Sequence, residues 1–89
     1  MKVIHKYEVP ILRRSFLLEL PLGAEILAFQ VQDNKPVIWA LVNTEPVIES
    51  RHFALRGTGE AMGDWRSSDT YIGTIQMLPY VWHLFETKD

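Results

Sequence analysis

The 89 residues include nine Lys and Arg against eleven Asp and Glu, a formal net charge of −2, with 47% hydrophobic and 22% charged residues. That balance excludes an intrinsically disordered chain and disfavours a general nucleic-acid binder, which shows a basic patch or stripe. The absence of cysteine excludes disulfides, thiolate metal sites and cysteine nucleophiles together.

A chain of this length is expected to form one domain over residues 1–89. It buries only about 60–65% of the surface its unfolded form exposes, so burial between subunits adds needed stability. The start, Met1-Lys2-Val3-Ile4-His5-Lys6, has no apolar stretch for a signal peptide. No run approaches the ~20 apolar residues of a membrane span. A cytoplasmic setting is expected.

Val3 to Val9 alternates Val3, His5, Tyr7 and Val9 with Ile4, Lys6 and Glu8, a first strand stopped by Pro10. Ile11 to Arg14 connects it to a second strand, Ser15 to Leu20, with Phe16, Leu18 and Leu20 on one face. Pro21 to Ala24 is a turn with glycine where positive φ is needed. Glu25 to Gln32 is a third strand, in which Leu27, Phe29 and Val31 are expected to share the buried face. The turn Asp33-Asn34-Lys35-Pro36 leads to a fourth strand, Val37 to Asn43, and a hairpin. Its run Val37-Ile38-Trp39-Ala40-Leu41-Val42 is apolar without interruption, which marks a strand with both faces out of water.

Thr44-Glu45-Pro46 is a breaker before a fifth strand, Val47 to Arg56. There Arg51, Phe53 and Leu55 face one way and Ser50, His52, Ala54 and Arg56 the other. Gly57 to Asp69 is the longest irregular stretch. Tyr71 to Leu78 is a sixth strand with a bulge expected at Gly73. Pro79 interrupts, and Tyr80 to Phe85 is a seventh strand, forming a hairpin with the sixth. With no 3.6-residue period and no βαβ alternation, the expected fold is all-β. It is a small antiparallel sandwich or barrel of about six to seven strands.

Four features bear on function. The Gly57–Asp69 loop offers backbone N–H groups at Gly57-Thr58-Gly59, guanidiniums at Arg56 and Arg66, and an indole at Trp65, a set suited to an anion carrying a ring. It lacks the Gly-Lys-Ser/Thr ending of a P-loop, and a glycine-turned hairpin loop with Trp65 capping the core is the plainer account. Second, His5, His52 and His83 show no metal-ligand spacing, so no metal or cofactor is expected. Third, Ser50, Ser67 and Ser68 sit in no nucleophile elbow. Asp64 with Asp69, and Glu45 with Glu49, read as ordinary solvated carboxylates, so no enzyme is expected. Fourth, Val37–Val42 and Tyr80–Phe85 carry more apolar surface than one small core takes up. Trp39, Tyr80 and Trp82 are therefore expected at a homo-oligomer interface, with the two runs as neighbours there.

The segments His5-Lys6-Tyr7-Glu8-Val9, Leu20-Pro21-Leu22-Gly23-Ala24-Glu25-Ile26-Leu27, Gln30-Val31-Gln32, Trp39-Ala40-Leu41-Val42, Arg56-Gly57-Thr58-Gly59, Tyr71-Ile72-Gly73-Thr74 and Val81-Trp82-His83-Leu84-Phe85-Glu86 resemble a family of small proteins of unknown function encoded by tailed bacteriophages and prophages. The resemblance runs over nearly the whole chain and implies a phage origin and a host-cytoplasm setting. It transfers no catalytic residue, and Glu60–Thr70 looks variable in that family. In such a setting the expected role is an accessory binding protein acting in counter-defence. Its partner is a small anionic nucleotide signal or a host defence protein. For a nucleotide the ligand set is Arg51, Arg56, Gly57, Thr58, Gly59, Trp65 and Arg66. The alternatives are a virion structural or assembly component and an enzyme of unknown type.

Overall fold

Seven strands account for most of the chain: β1 (Lys2–Glu8), β2 (Ser15–Pro21), β3 (Glu25–Gln32), β4 (Lys35–Asn43), β5 (Ile48–Gly57), β6 (Thr70–Met77) and β7 (Tyr80–Thr87). The computed structural model describes residues 1–44, 47–63 and 65–88. Glu45, Pro46, Asp64 and Asp89 lie outside the described residues. So do the core of the Thr44–Pro46 breaker and one member of each of the two carboxylate pairs weighed above.

The strands form two antiparallel sheets, β1-β4-β3 and β2-β5-β7-β6, with no helix among the described residues. Only β3–β4 and β6–β7 are hairpins. The pairings β1–β4, β2–β5 and β5–β7 join strands far apart in sequence. β3 lies on β6 and β2 near β4, so the sheets face each other across one core. Leu20, Ile38, Phe53, Leu55 and Leu84 are fully enclosed there. Each such side chain is worth about 1.5–3 kcal/mol of burial. Phe16 and Phe53, direct cross-strand partners, stack with ring centroids 5.5 Å apart.

The β3–β4 turn is shorter than the sequence suggests. Gln32 pairs with Lys35, leaving Asp33 (φ 52°) and Asn34 (φ 62°) as a two-residue turn. Both central residues have positive φ, the type I′ geometry whose twist matches the flanking strands. Lys35 and Pro36 therefore open β4 instead of preceding it. The β2–β3 turn uses Gly23 at φ 75°, a conformation that costs an L-residue.

In β4 the inward residues Ile38, Ala40 and Val42 are buried, and so is Val37 on the opposite face, while Trp39 and Leu41 are half-buried. The two-sided apolarity thus belongs to the central strand of its sheet. In β3 the expected alternation fails. The register shifts between Ile26 and Ala28, so a bulge changes which residues face inward. Phe29 is buried and Ile26 packs on the core, whereas Leu27 is 45% exposed and Val31 is exposed as well. A second shift, between Tyr71 and Gly73, lets Ile72 pack on the core. Gly73 then meets Phe29 across the sandwich: a Cβ there would lie 3.3 Å from Phe29 Cβ.

Within one chain Val37–Val42 and Tyr80–Phe85 are not paired, because β4 and β7 belong to different sheets. Trp82 packs against the core, with the 60%-exposed Tyr80 ring 5.6 Å from its own. Trp39 sits on the outer face of the other sheet.

Candidate functional site

The outer face of β2-β5-β7-β6 is built by the strand residues opposite those in the core. Along β5, Phe53 and Leu55 point inward, and His52, Ala54 and Arg56 point outward. Across from them on β7 are Thr87, Phe85 and His83, their direct partners in the register. An outward face in a thin sandwich is ordinarily solvated, yet Ala54 and Arg56 are buried, Arg56 to 4% exposure. Two segments cover them: the β1–β2 connection and the β5–β6 loop.

Both segments are fastened locally. Arg14 carbonyl oxygen accepts from Leu55 N at 2.8 Å and from Arg56 Nη1 at 2.7 Å, while the Arg14 guanidinium pairs with Glu60. Glu60 Oε1 accepts from Gly57 N at 2.7 Å, and Glu60 N donates back to Gly57 carbonyl oxygen at 3.0 Å. The same reciprocal pattern recurs at the other end of the loop. Arg66 N donates to Asp69 Oδ2 at 3.0 Å, and Asp69 N donates to Arg66 carbonyl oxygen at 2.9 Å. Short polar side chains closing turns on their own backbone are the usual means of holding such a loop. Trp65 N, between the two turns, donates to Met62 carbonyl oxygen at 3.0 Å.

Between these covers and the sheet lies an open groove of about 820 Å³. Its floor is Leu17 of β2, His52, Ala54 and Arg56 of β5, and Phe85 and Thr87 of β7. Pro10 and Arg13 form one wall; Met62, Trp65, Arg66 and Asp69 form the other. Three of the seven ligand residues expected from sequence, Arg56, Trp65 and Arg66, are brought together here. Trp65 is 48% exposed, a stacking surface at the rim and not a cap over the core.

The other four are placed elsewhere. Arg51 lies on the inner side of β5. Its Nε and Nη2 donate to the two carboxylate oxygens of Glu86 at 2.7 and 2.9 Å, and its Nη1 donates to Ala24 carbonyl oxygen. The hydrogen-bonded Glu86 carboxylate raises the Arg51 pKa, against a smaller opposing effect of burial, with the charges of Glu86 and Glu49 adding to the rise. Gly57, Thr58 and Gly59 lie beyond the groove lining. The N–H groups of Gly57 and Thr58 are taken by Glu60 and by Val81 carbonyl oxygen.

A polar chain runs alongside on the same sheet face. Thr58 Oγ1 meets His83 Nε2 at 2.7 Å, Thr74 Oγ1 meets His83 Nδ1 at 2.9 Å, and Tyr71 OH contacts Thr74 Oγ1. Thr74 and His83 are direct cross-strand partners, so the sheet register alone brings them together. His5 belongs to the other sheet, and no group of three or more metal-ligating side chains exists among the described residues. Among them, no helix is long and apolar enough to cross a membrane.

Arg13, Leu17, His52, Phe85 and Thr87 were missing from the expected set. His52 had a signal, its place on the same strand face as Arg56. Arg13 had none, because nothing local shows that the connection folds back over β5.

A family model for a domain of unknown function, DUF7352, matches residues 1–89. The chain belongs to the DUF7352 family. No curated protein and no solved structure matches it. In this DUF7352 chain the site's chemistry is therefore read from the groove itself. It offers an exposed indole, a phenyl ring, an imidazole and guanidiniums over a mixed polar and apolar floor, which suits an anionic ligand with a planar ring.

Proposed function

We propose that this DUF7352 chain is a phage-encoded accessory protein that works by binding, taking a small anionic nucleotide into the groove on its four-stranded sheet. In the host cytoplasm it sequesters a nucleotide signal of a defence system. The observation that carries this reading is the convergence of Trp65, Arg13, Arg56 and Arg66 on one groove of about 820 Å³. That volume lies within the ~300–1,000 Å³ of small-molecule sites. Trp65 stacks on the base and the exposed guanidiniums of Arg13 and Arg66 face the phosphate, while Arg56, held by the carbonyl oxygens of Arg14 and Leu55, adds its charge from the floor.

The same reading has the chain acting as a homo-oligomer. Support comes from the outer face of β1-β4-β3, where Ile4 is 60% exposed beside half-buried Leu41, its register partner, and Trp39.

A thermal-shift panel of mononucleotides, with inorganic phosphate as the ring-free control, tests the groove. At a hundred times Kd, binding stabilises by about 2.7 kcal/mol. At roughly 4–8 °C per kcal/mol for a domain of this size, the melting temperature rises by more than 10 °C. Trp65→Ala removes a stack worth ~1–3 kcal/mol and weakens binding about 5- to 150-fold. A flat panel overturns the reading.

A further inference from the structure

A second hollow, of about 350 Å³, adjoins the groove on the same sheet. The two share His52 and Thr87 as lining residues, so they abut at that cross-strand pair. Along β5 the outward residues Ser50, His52, Ala54 and Arg56 run from the far hollow into the groove, on the order of 20 Å of strand.

The two lobes differ in chemistry. The groove has the rings, Trp65 and Phe85. The far hollow is lined by the hydroxyl residues Ser50, Thr70 and Thr87 and by Lys88. Arg51 and Glu86 also border it and neutralise each other as a two-point ion pair, so among the described lining residues Lys88 carries the remaining formal charge. A lobe of hydroxyls and one cation suits sugar and phosphate and offers no ring for a base to stack on.

We infer that the ligand of these two lobes is a phosphodiester-linked dinucleotide, with one base on Trp65 and the second nucleotide's sugar and phosphate in the Lys88 lobe. His52, at the junction, faces the bridging phosphate. The inference rests on the groove being a nucleotide site, and it adds that a mononucleotide fills only one of the two lobes.

Titration calorimetry with AMP and with 5′-phosphorylated diadenylate, on the parent chain and on Lys88→Ala and Trp65→Ala, tests it. The diadenylate is expected to bind at least tenfold tighter than AMP. Lys88→Ala reduces that advantage to within about threefold and leaves AMP affinity and melting temperature unchanged, since Lys88 is exposed beyond the end of β7. Trp65→Ala weakens both ligands. Equal affinity for the two, unmoved by Lys88→Ala, overturns the two-lobe inference while the groove remains a nucleotide site. Failure of both ligands to bind overturns the groove reading itself.

Discussion

Arg51 and Arg56 sit five positions apart on one strand and do opposite work, because alternation sends one inward and the other outward. Arg51 pairs with Glu86 at the inner side, and Arg56, under the groove floor, donates to the carbonyl oxygens of Arg14 and Leu55. Alternation already put the two on opposite faces but could not say what each would bind, since a guanidinium's partner is set by the fold and Glu86 lies 35 residues away. Glu86→Gln is expected to cost about 1.5–3 kcal/mol, the worth of a charge-assisted hydrogen bond in a half-buried site; chemical denaturation of the two proteins checks it. On the arginine side the contribution does not vary with ordinary pH. A raised folded pKa gives stability that is complete below the unfolded value and lost only as pH climbs through the folded one, in strong alkali.

The seven strands were legible from alternation and turn residues, and their sides were legible wherever the pleat was regular, as in β2 with Phe16, Leu18 and Leu20. β3 was not, because a bulge at Leu27 is a property of the pairing with β4 and leaves no mark in a string of apolar residues. The bulge makes a sharp prediction. Leu27→Gln is expected to change stability by less than about 0.5 kcal/mol, and Phe29→Ala to cost about 3–5 kcal/mol, although alternation puts both on one face. Thermal melts of the two variants separate these outcomes. At the crossing of β3 and β6, Gly73→Ala brings a methyl to 3.3 Å from Phe29 Cβ. The sheets must part slightly, at a cost of about 1–3 kcal/mol, seen as a drop in melting temperature of roughly 4–8 °C per kcal/mol.

At the scale of the molecule, the extents of 40 × 30 × 18 Å leave one core layer and two broad outer faces. One face holds the groove, and the other presents Trp39 between Leu41 and Val37. Trp39→Glu is expected to convert an oligomer into a monomer with the fold retained, read by mass in solution and by the melting curve; a parent chain already monomeric at high micromolar concentration sinks the oligomer. The all-β class was legible because composition and period suffice for it. Which strands share a sheet was not, because three of the five pairings are non-local. Those pairings also govern time. β1 gains its ladder only from β4, and β2 only from β5. Loop closure is therefore spent before most contacts return energy, and folding belongs to the millisecond-to-second class of β-sandwiches. Only β3–β4 and β6–β7, each closed by a two-residue turn, escape most of that cost.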